Sequence, residues 1–168
     1  MRRGDAFPAF EMRDENGEAV HGSDLLGLRY ILFFYPAGGD GESAEEALGF
    51  GAAFPRLALR NIYAFGVSAD PPEEHARFRS ALGVRGKFLT DEGGALAAEV
   101  DASRTTFLIG RDGRVEERWD GFAVRGHAKR VAEAALLRFR DDAPPDYRGR
   151  YRQYMTVPWR QAPSGAAG

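Results

Sequence analysis

Apolar residues along the chain gather in a few dense runs, and the polar stretches between them carry helical spacing. The run "RYILFFYP", Arg29 to Pro36, is nearly all apolar. That is the pattern of a strand buried on both faces of a sheet, and Pro36 ends it. "NIYAFGVSA" and "RTTFLIG" (Arg104 to Gly110) repeat the pattern, and "KFLTD" is a shorter version. Ahead of them, "AFEMRDENGEAV" reads as a hairpin turning at Asn16–Gly17, and "HGSDLLG" as a short capped turn. Asp112–Gly113 turns the third buried strand into an antiparallel partner, "RVEERWDG".

Helices fall between these strands. Ser43 and Glu46 form an S-x-x-E capping box, so a helix begins with Ser43 as its N-cap. Pro55 is expected to kink or break it. "PPEEHARFRSALG" opens on proline and acids and closes on Gly83, with Ala76, Phe78, Ala81 and Leu82 as its apolar stripe. "GGALAAEV" is a short helix. "HAKRVAEAALLRFR" is a longer one, with Val131, Ala134, Ala135 and Leu137 facing inward. The order is a β-hairpin followed by β-α-β-α-β-α-β-β-α. This predicts an α/β fold: a central mixed sheet flanked by helices on both sides.

From "DDAPPDY" the pattern stops. Residues 1–140 read as one domain, and 141–168 as an extension rich in arginine and aromatic residues, ending in a disordered "SGAAG". Its "YRGRYRQYMTVPWR" offers Arg148, Tyr151, Tyr154 and Trp159 as anchors of a protein contact, to a partner or to a second copy of the chain. Stacking on single-stranded nucleic acid is the weaker reading, because the formal charge of all 168 residues is −2 and no basic field recruits a polyanion.

Composition narrows the chemistry further. Apolar residues make up 43% and charged residues 29% of the chain, as in soluble globular proteins. No signal-peptide h-region and no run of about 18 apolar residues is visible, so a cytoplasmic location without a membrane span is expected. The chain has no cysteine, which removes thiolates and cysteine-ligated metals. His21, His75 and His127 are scattered, read as surface residues, and suggest no metal site.

The order and spacing of "GDAFPAFEMRDENGEAV", "YILFFYP", "FGVSAD", "EEHARF", "FLTDEGGALAAEV" and "RTTFLIGRDGRV" resemble a peroxiredoxin of the bacterioferritin-comigratory (PrxQ) type, from about Gly4 to Phe139. The resemblance implies a thioredoxin-like fold. It also implies a site at the start of the helix after the first core strand. There the family motif runs proline, three residues, threonine or serine, two residues, cysteine, completed by an arginine from a later strand. Without a gap, Pro36 takes the proline position, Asp40 the threonine position and Ser43 the cysteine position, and Arg104 matches the arginine. Leu48 stands where many PrxQ-type proteins keep a second, resolving cysteine.

This vestigial pocket of Pro36, Asp40, Ser43 and Arg104 is expected to carry no catalysis. A hydroxyl cannot traverse the sulfur oxidation ladder. A serine put in place of a native cysteine would explain Ser43 but not Asp40. A carboxylate beside a thiolate raises the thiol pKa by like-charge repulsion, which favours natural divergence. Asp40 is expected to pair with Arg104. Ser43 as a nucleophile would need a base, and neither His75 nor His127 is expected near the pocket. The loop of Gly38, Gly39 and Gly41 lacks the lysine of a phosphate loop and is crowded by acids, so no nucleotide, metal or other cofactor is expected. Two readings stand. One is a cysteine-less binding or structural subunit that docks through its extension. The other is an enzyme: a true thiol peroxidase carrying serine at position 43, or a derived enzyme with non-redox chemistry.

Overall fold

The computed structural model describes residues 1–140. The expectations for the extension, including Arg148, Tyr151, Tyr154 and Trp159, lie outside the described residues.

The hairpin forms from β1 (Glu11–Arg13) and β2 (Ala19–His21). A 3-10 turn follows at Gly22–Leu25. Then come β3 (Arg29–Phe34), α1 (Gly41–Ala58), β4 (Ile62–Ser68), α2 (Pro72–Leu82), β5 (Lys87–Thr90), α3 (Ala95–Glu99), β6 (Thr105–Ile109), β7 (Val115–Trp119) and α4 (His127–Arg138). One sheet orders the strands β2-β1-β5-β4-β3-β6-β7. β3, β4 and β5 run parallel, and the remaining pairings are antiparallel. The sheet is mixed, as the alternation of elements predicts.

The continuous apolar runs serve two cores. Tyr30, Leu32 and Phe34 of β3 face one side with Phe65 and Phe107. Ile31 and Phe33 face the other with Leu108 and the α1 stripe of Ala47, Phe50, Ala53 and Leu57. Gly66 on β4 is required by the second core, because a Cβ there would lie 2.5 Å from the Phe88 ring. Where α1 crosses α4, a Cβ at Gly49 would come within 2.7 Å of the Ala128 Cβ, so glycine sets how closely these helices approach.

Several local expectations are corrected. Pro55 does not break α1, which continues to Ala58. Proline removes a single backbone donor, and the buried Phe54 and Leu57 around it hold the turn in place. Leu137 does not face inward but is 66% exposed. The inner face of α4 is His127, Ala128, Val131, Ala132 and Ala135, which keeps Val131 and Ala135 of the expected stripe and leaves Ala134 half-buried. In α2 the buried residue is His75, not an alanine of the expected stripe, and Ala81 is exposed. His75 and His127 are each 1% exposed, so two of the three expected surface histidines are core residues. Neutral imidazoles serve there as flat hydrogen-bonding side chains.

Candidate functional site

β3 ends its pairing with β6 at Phe34 opposite Thr105. This register places Arg104 beside the chain as it leaves β3, facing the first turn of α1. The helix starts earlier than its capping box suggests. Its N-cap is Asp40, in extended conformation, and the Asp40 side chain accepts the Ser43 backbone N–H at 2.8 Å. Ser43 is therefore the third residue of the helix and not the cap. Its hydroxyl donates to the same Asp40 oxygen at 2.7 Å. The aspartate caps the helix three residues earlier, so Ser43 lies within the first turn and has no capping role. Glu46 does not reach back to the cap either, because the inward face of α1 carries it into the core.

The Arg104 guanidinium occupies the centre of the site. Nη2 donates to both Asp40 oxygens, at 3.2 and 3.3 Å, and to Ser43 Oγ at 3.2 Å. Nη1 donates to Glu46 Oε2 at 3.1 Å. Nε lies 3.7 Å from a Glu42 oxygen. The expected Asp40–Arg104 pair is present, and two further carboxylates share the same cation. Pro36 is exposed at the end of the strand, and Leu48 is on the outer face of α1.

Behind the arginine the polar contacts continue inward. Thr106 Oγ1 donates to Glu46 Oε1 at 3.5 Å and lies 2.9 Å from His127 Nε2. His127 Nε2 is 4.0 Å from Glu46 Oε1, and its ring lies flat against Phe122, centroid to centroid 3.4 Å. His127 thus stands at the back of the site, contrary to the expectation that no histidine approaches it.

The electrostatics follow from burial. Glu46 is 1% exposed, and desolvation pushes its carboxyl up to about 7 against the pull of Arg104. Burial and the nearby Arg130 push His127 down to about 4, so it is neutral at physiological pH. The two bonds from Ser43 to Asp40, helped by Arg104, hold the exposed Asp40 carboxyl below its ordinary value.

This arrangement has little reactive capacity. The Ser43 hydroxyl is fully buried and committed to a carboxylate whose low pKa makes it too weak a base to ionise an alcohol. The cation that could stabilise a developing negative charge is already shared among three carboxylates. A second network lies on the far side of the loop. Tyr35 OH is 3.1 Å from His75 Nδ1, Ser68 Oγ is 3.4 Å from His75 Nε2, and Ser68 donates to Asp70 at 2.8 Å. Asp70 in turn accepts the Gly38 N–H, which ties the glycine loop to β4. Among the described residues no group of three or more His, Asp or Glu side chains is placed to hold a metal ion.

Sequence reasoning missed Glu46, Thr106 and His127 as members of the site. A signal was present for Glu46. Ser43, Glu46, Ala47, Phe50, Ala53, Phe54 and Leu57 recur at helical spacing, and that stripe buries both polar residues with the apolar ones.

Residues 3–118 match the AhpC/TSA family. Peroxiredoxin Bcp of Bacillus subtilis (strain 168) is 30% identical over 145 residues, covering 78% of this chain and 90% of that protein. Peroxiredoxin Bcp of Escherichia coli (strain K12) is 26% identical over 141 residues, covering 76% and 90%. Among solved structures, a cysteine-to-serine mutant of Xylella fastidiosa PrxQ superposes with a TM-score of 0.78 at 25% identity, covering 82% of this chain and 97% of that one. Peroxidoxin BcpB of Mycobacterium tuberculosis gives 0.76 at 29% identity, covering 84% and 99%.

Proposed function

This chain belongs to the AhpC/TSA family, as a Bcp-type peroxiredoxin relative that lacks the peroxidatic cysteine, and we propose that it is a non-catalytic binding or structural subunit that engages a protein partner through residues 141–168. One observation carries the reading. The arginine that the family resemblance assigns to the reactive thiolate is here neutralised by Asp40, Glu42 and Glu46. A site stripped of its cysteine alone would keep that guanidinium available for an anion. Here the space is closed by internal ion pairs, which supports divergence over a peroxidase with one residue exchanged.

What then remains is a folded α/β scaffold with an arginine- and aromatic-rich extension. Tyrosine, tryptophan and arginine are the side chains that most often anchor protein interfaces, because they bury large area at low entropic cost. Among the described residues no helix is long and apolar enough to cross a membrane.

Two experiments test the reading. Peroxide consumption by the purified chain, with a thioredoxin-type reductant, is expected at the uncatalysed rate, and sustained turnover refutes it. Affinity capture with the full chain is expected to recover a protein that a chain ending at Arg140 does not. Equal recovery by both removes the extension from the binding role.

A further inference from the structure

The α1 helix is apolar on two sides. One side is the buried stripe that carries Ala47, Phe50, Phe54 and Leu57. The other looks outward. Among the described residues four large apolar side chains are exposed, and two of them, Leu48 at 46% and Leu59 at 68%, lie on this outer face. Ala52 and Pro55, also exposed, stand between them. Steps of four, three and four residues put all four on one line along the helix. Single exposed leucines are ordinary, but an apolar line along a whole helix face is the pattern of a helix that packs on that side too. The flanking elements stop at its edges: Ala128 of α4 meets α1 at Gly49 on one side, and Val84 meets it at Gly51 on the other.

The charges beside this line point to its occupant. Glu45 and Arg56 are both exposed. They stand about three turns of 3.6 residues apart, so they project from the same edge of the line, one toward each end. A second α1 laid antiparallel on the first, about a two-fold axis through Ala52, reverses their order. At about 1.5 Å of rise per residue, Glu45 then lies about 10 Å from the axis and the second copy's Arg56 about 6 Å, on the same edge and toward the same end. Both side chains reach across that difference, and symmetry makes the contact twice. Pro55 and Leu59 meet the second copy's Leu48. Ala52 meets itself, where its small side chain lets the two helices approach closely. A parallel arrangement would set glutamate against glutamate and arginine against arginine.

We propose that the outer face of α1 is a self-association surface, on which a second copy of this chain docks antiparallel through Leu48, Ala52, Pro55 and Leu59, with Glu45–Arg56 pairs at the rim. One helix face buries less than the ~1,200 Å² of a standard interface, so the dimer is weak and forms between about 10 μM and 1 mM. The proposal uses the folded domain alone and does not rest on a docking role for residues 141–168.

Charge exchange in the full chain tests it. Sedimentation velocity at low salt is expected to show the wild-type chain passing from monomer to dimer across that range. Glu45→Arg alone and Arg56→Glu alone should each weaken association by about tenfold or more, because like charges then meet at both ends. An equal mixture of the two variants is expected to return to within about threefold of wild type, since each chain carries the charge that the other's rim lacks. Leu59→Ser, at a side chain too exposed to disturb the core, should also weaken the dimer. A wild-type chain that stays monomeric at about 1 mM overturns the proposal. So does association that Leu59→Ser leaves unchanged. A loss in both charge variants that mixing does not recover, with each keeping the wild-type circular dichroism, overturns the antiparallel pairing and the proposal with it.

Discussion

Glu46 Oε1 and His127 Nε2 lie 4.0 Å apart in the core behind Arg104, and burial moves the two groups in opposite senses. Glu46 is raised to about 7 and His127 lowered to about 4. Near neutral pH the pair therefore carries a half-titrated carboxyl beside a neutral imidazole.

Their contributions to stability run against each other. A carboxyl raised in the folded state contributes stability that is fully present below its unfolded value of 4.5 and is lost as pH rises through about 7. A histidine lowered in the folded state contributes stability that is present above its unfolded value of 6.5 and is lost as pH falls toward 4. In the wild-type chain the two largely offset between pH 4.5 and 7. Glu46→Gln is expected to leave stability rising with pH across that window. His127→Gln should leave it falling, by about 3 kcal/mol overall at ~1.4 kcal/mol per pKa unit. Urea unfolding at pH 4.5, 6 and 7.5 measures both slopes, and parallel slopes for the two variants would contradict the assignment.

Arg104→Gln removes the cation from three carboxylates at once. At pH 8 it is expected to cost about 3 kcal/mol, because Glu46, ionised beside Arg104 in the wild-type chain, must then either stay charged without its partner in the core or take up a proton against the pH. At pH 5 the cost should fall below about half of that, since Glu46 then holds a proton. Chemical denaturation at the two pH values checks the difference.

Ser43→Cys alone should not restore peroxidase activity. The new thiol would sit against the Asp40 oxygen that Ser43 Oγ now meets at 2.7 Å, and like-charge repulsion keeps it protonated. Adding Asp40→Thr is expected to lower the thiol pKa by about 1 to 3 units and to raise peroxide turnover at pH 7 at least tenfold over the single variant. Thiolate absorbance against pH, followed by the coupled peroxide assay, separates the two. A single variant as active as the double would show that Asp40 does not oppose the thiolate.

Asp40→Ala deletes the cap of α1 and is expected to cost about 1 kcal/mol, whereas Asp40→Asn keeps the accepting oxygen and should cost only a few tenths. Thermal unfolding of the two variants decides whether the residue acts chiefly as a cap. A loss in Asp40→Asn as large as in Asp40→Ala would assign its main role to the charge opposite Arg104.

Much of this protein was legible before its structure. The dense runs around Ile31, Phe65 and Leu108 announced buried strands, Asn16–Gly17 and Asp112–Gly113 marked the turns, and the mixed α/β sheet followed from their order. Asp40, Ser43 and Arg104 were singled out by the resemblance to the peroxiredoxin motif, and the Asp40–Arg104 contact was anticipated. Three local readings failed for a common reason. Ser43 was read as a cap because S-x-x-E fits a local rule, yet Asp40 caps the helix three residues earlier by accepting the Ser43 amide. His75 and His127 were read as surface residues because histidine is polar, yet each found a hydroxyl partner inside. Leu137 was read as buried because leucine is apolar, yet α4 turned it outward.

The sequence by itself determined what this protein cannot do: a chain of 168 residues without cysteine cannot cycle a thiolate against peroxide. Hydrophobic periodicity also determined the strands and helices, because the spacing of apolar positions is a local property of the chain. Only the tertiary structure decided that Glu46, 58 residues before Arg104, closes the site with it, and that His127 stands behind them. Charge and solvation act through space. A carboxylate that reads as a helix cap in one dimension becomes a buried counter-ion once a strand from the other end of the fold brings an arginine to its side.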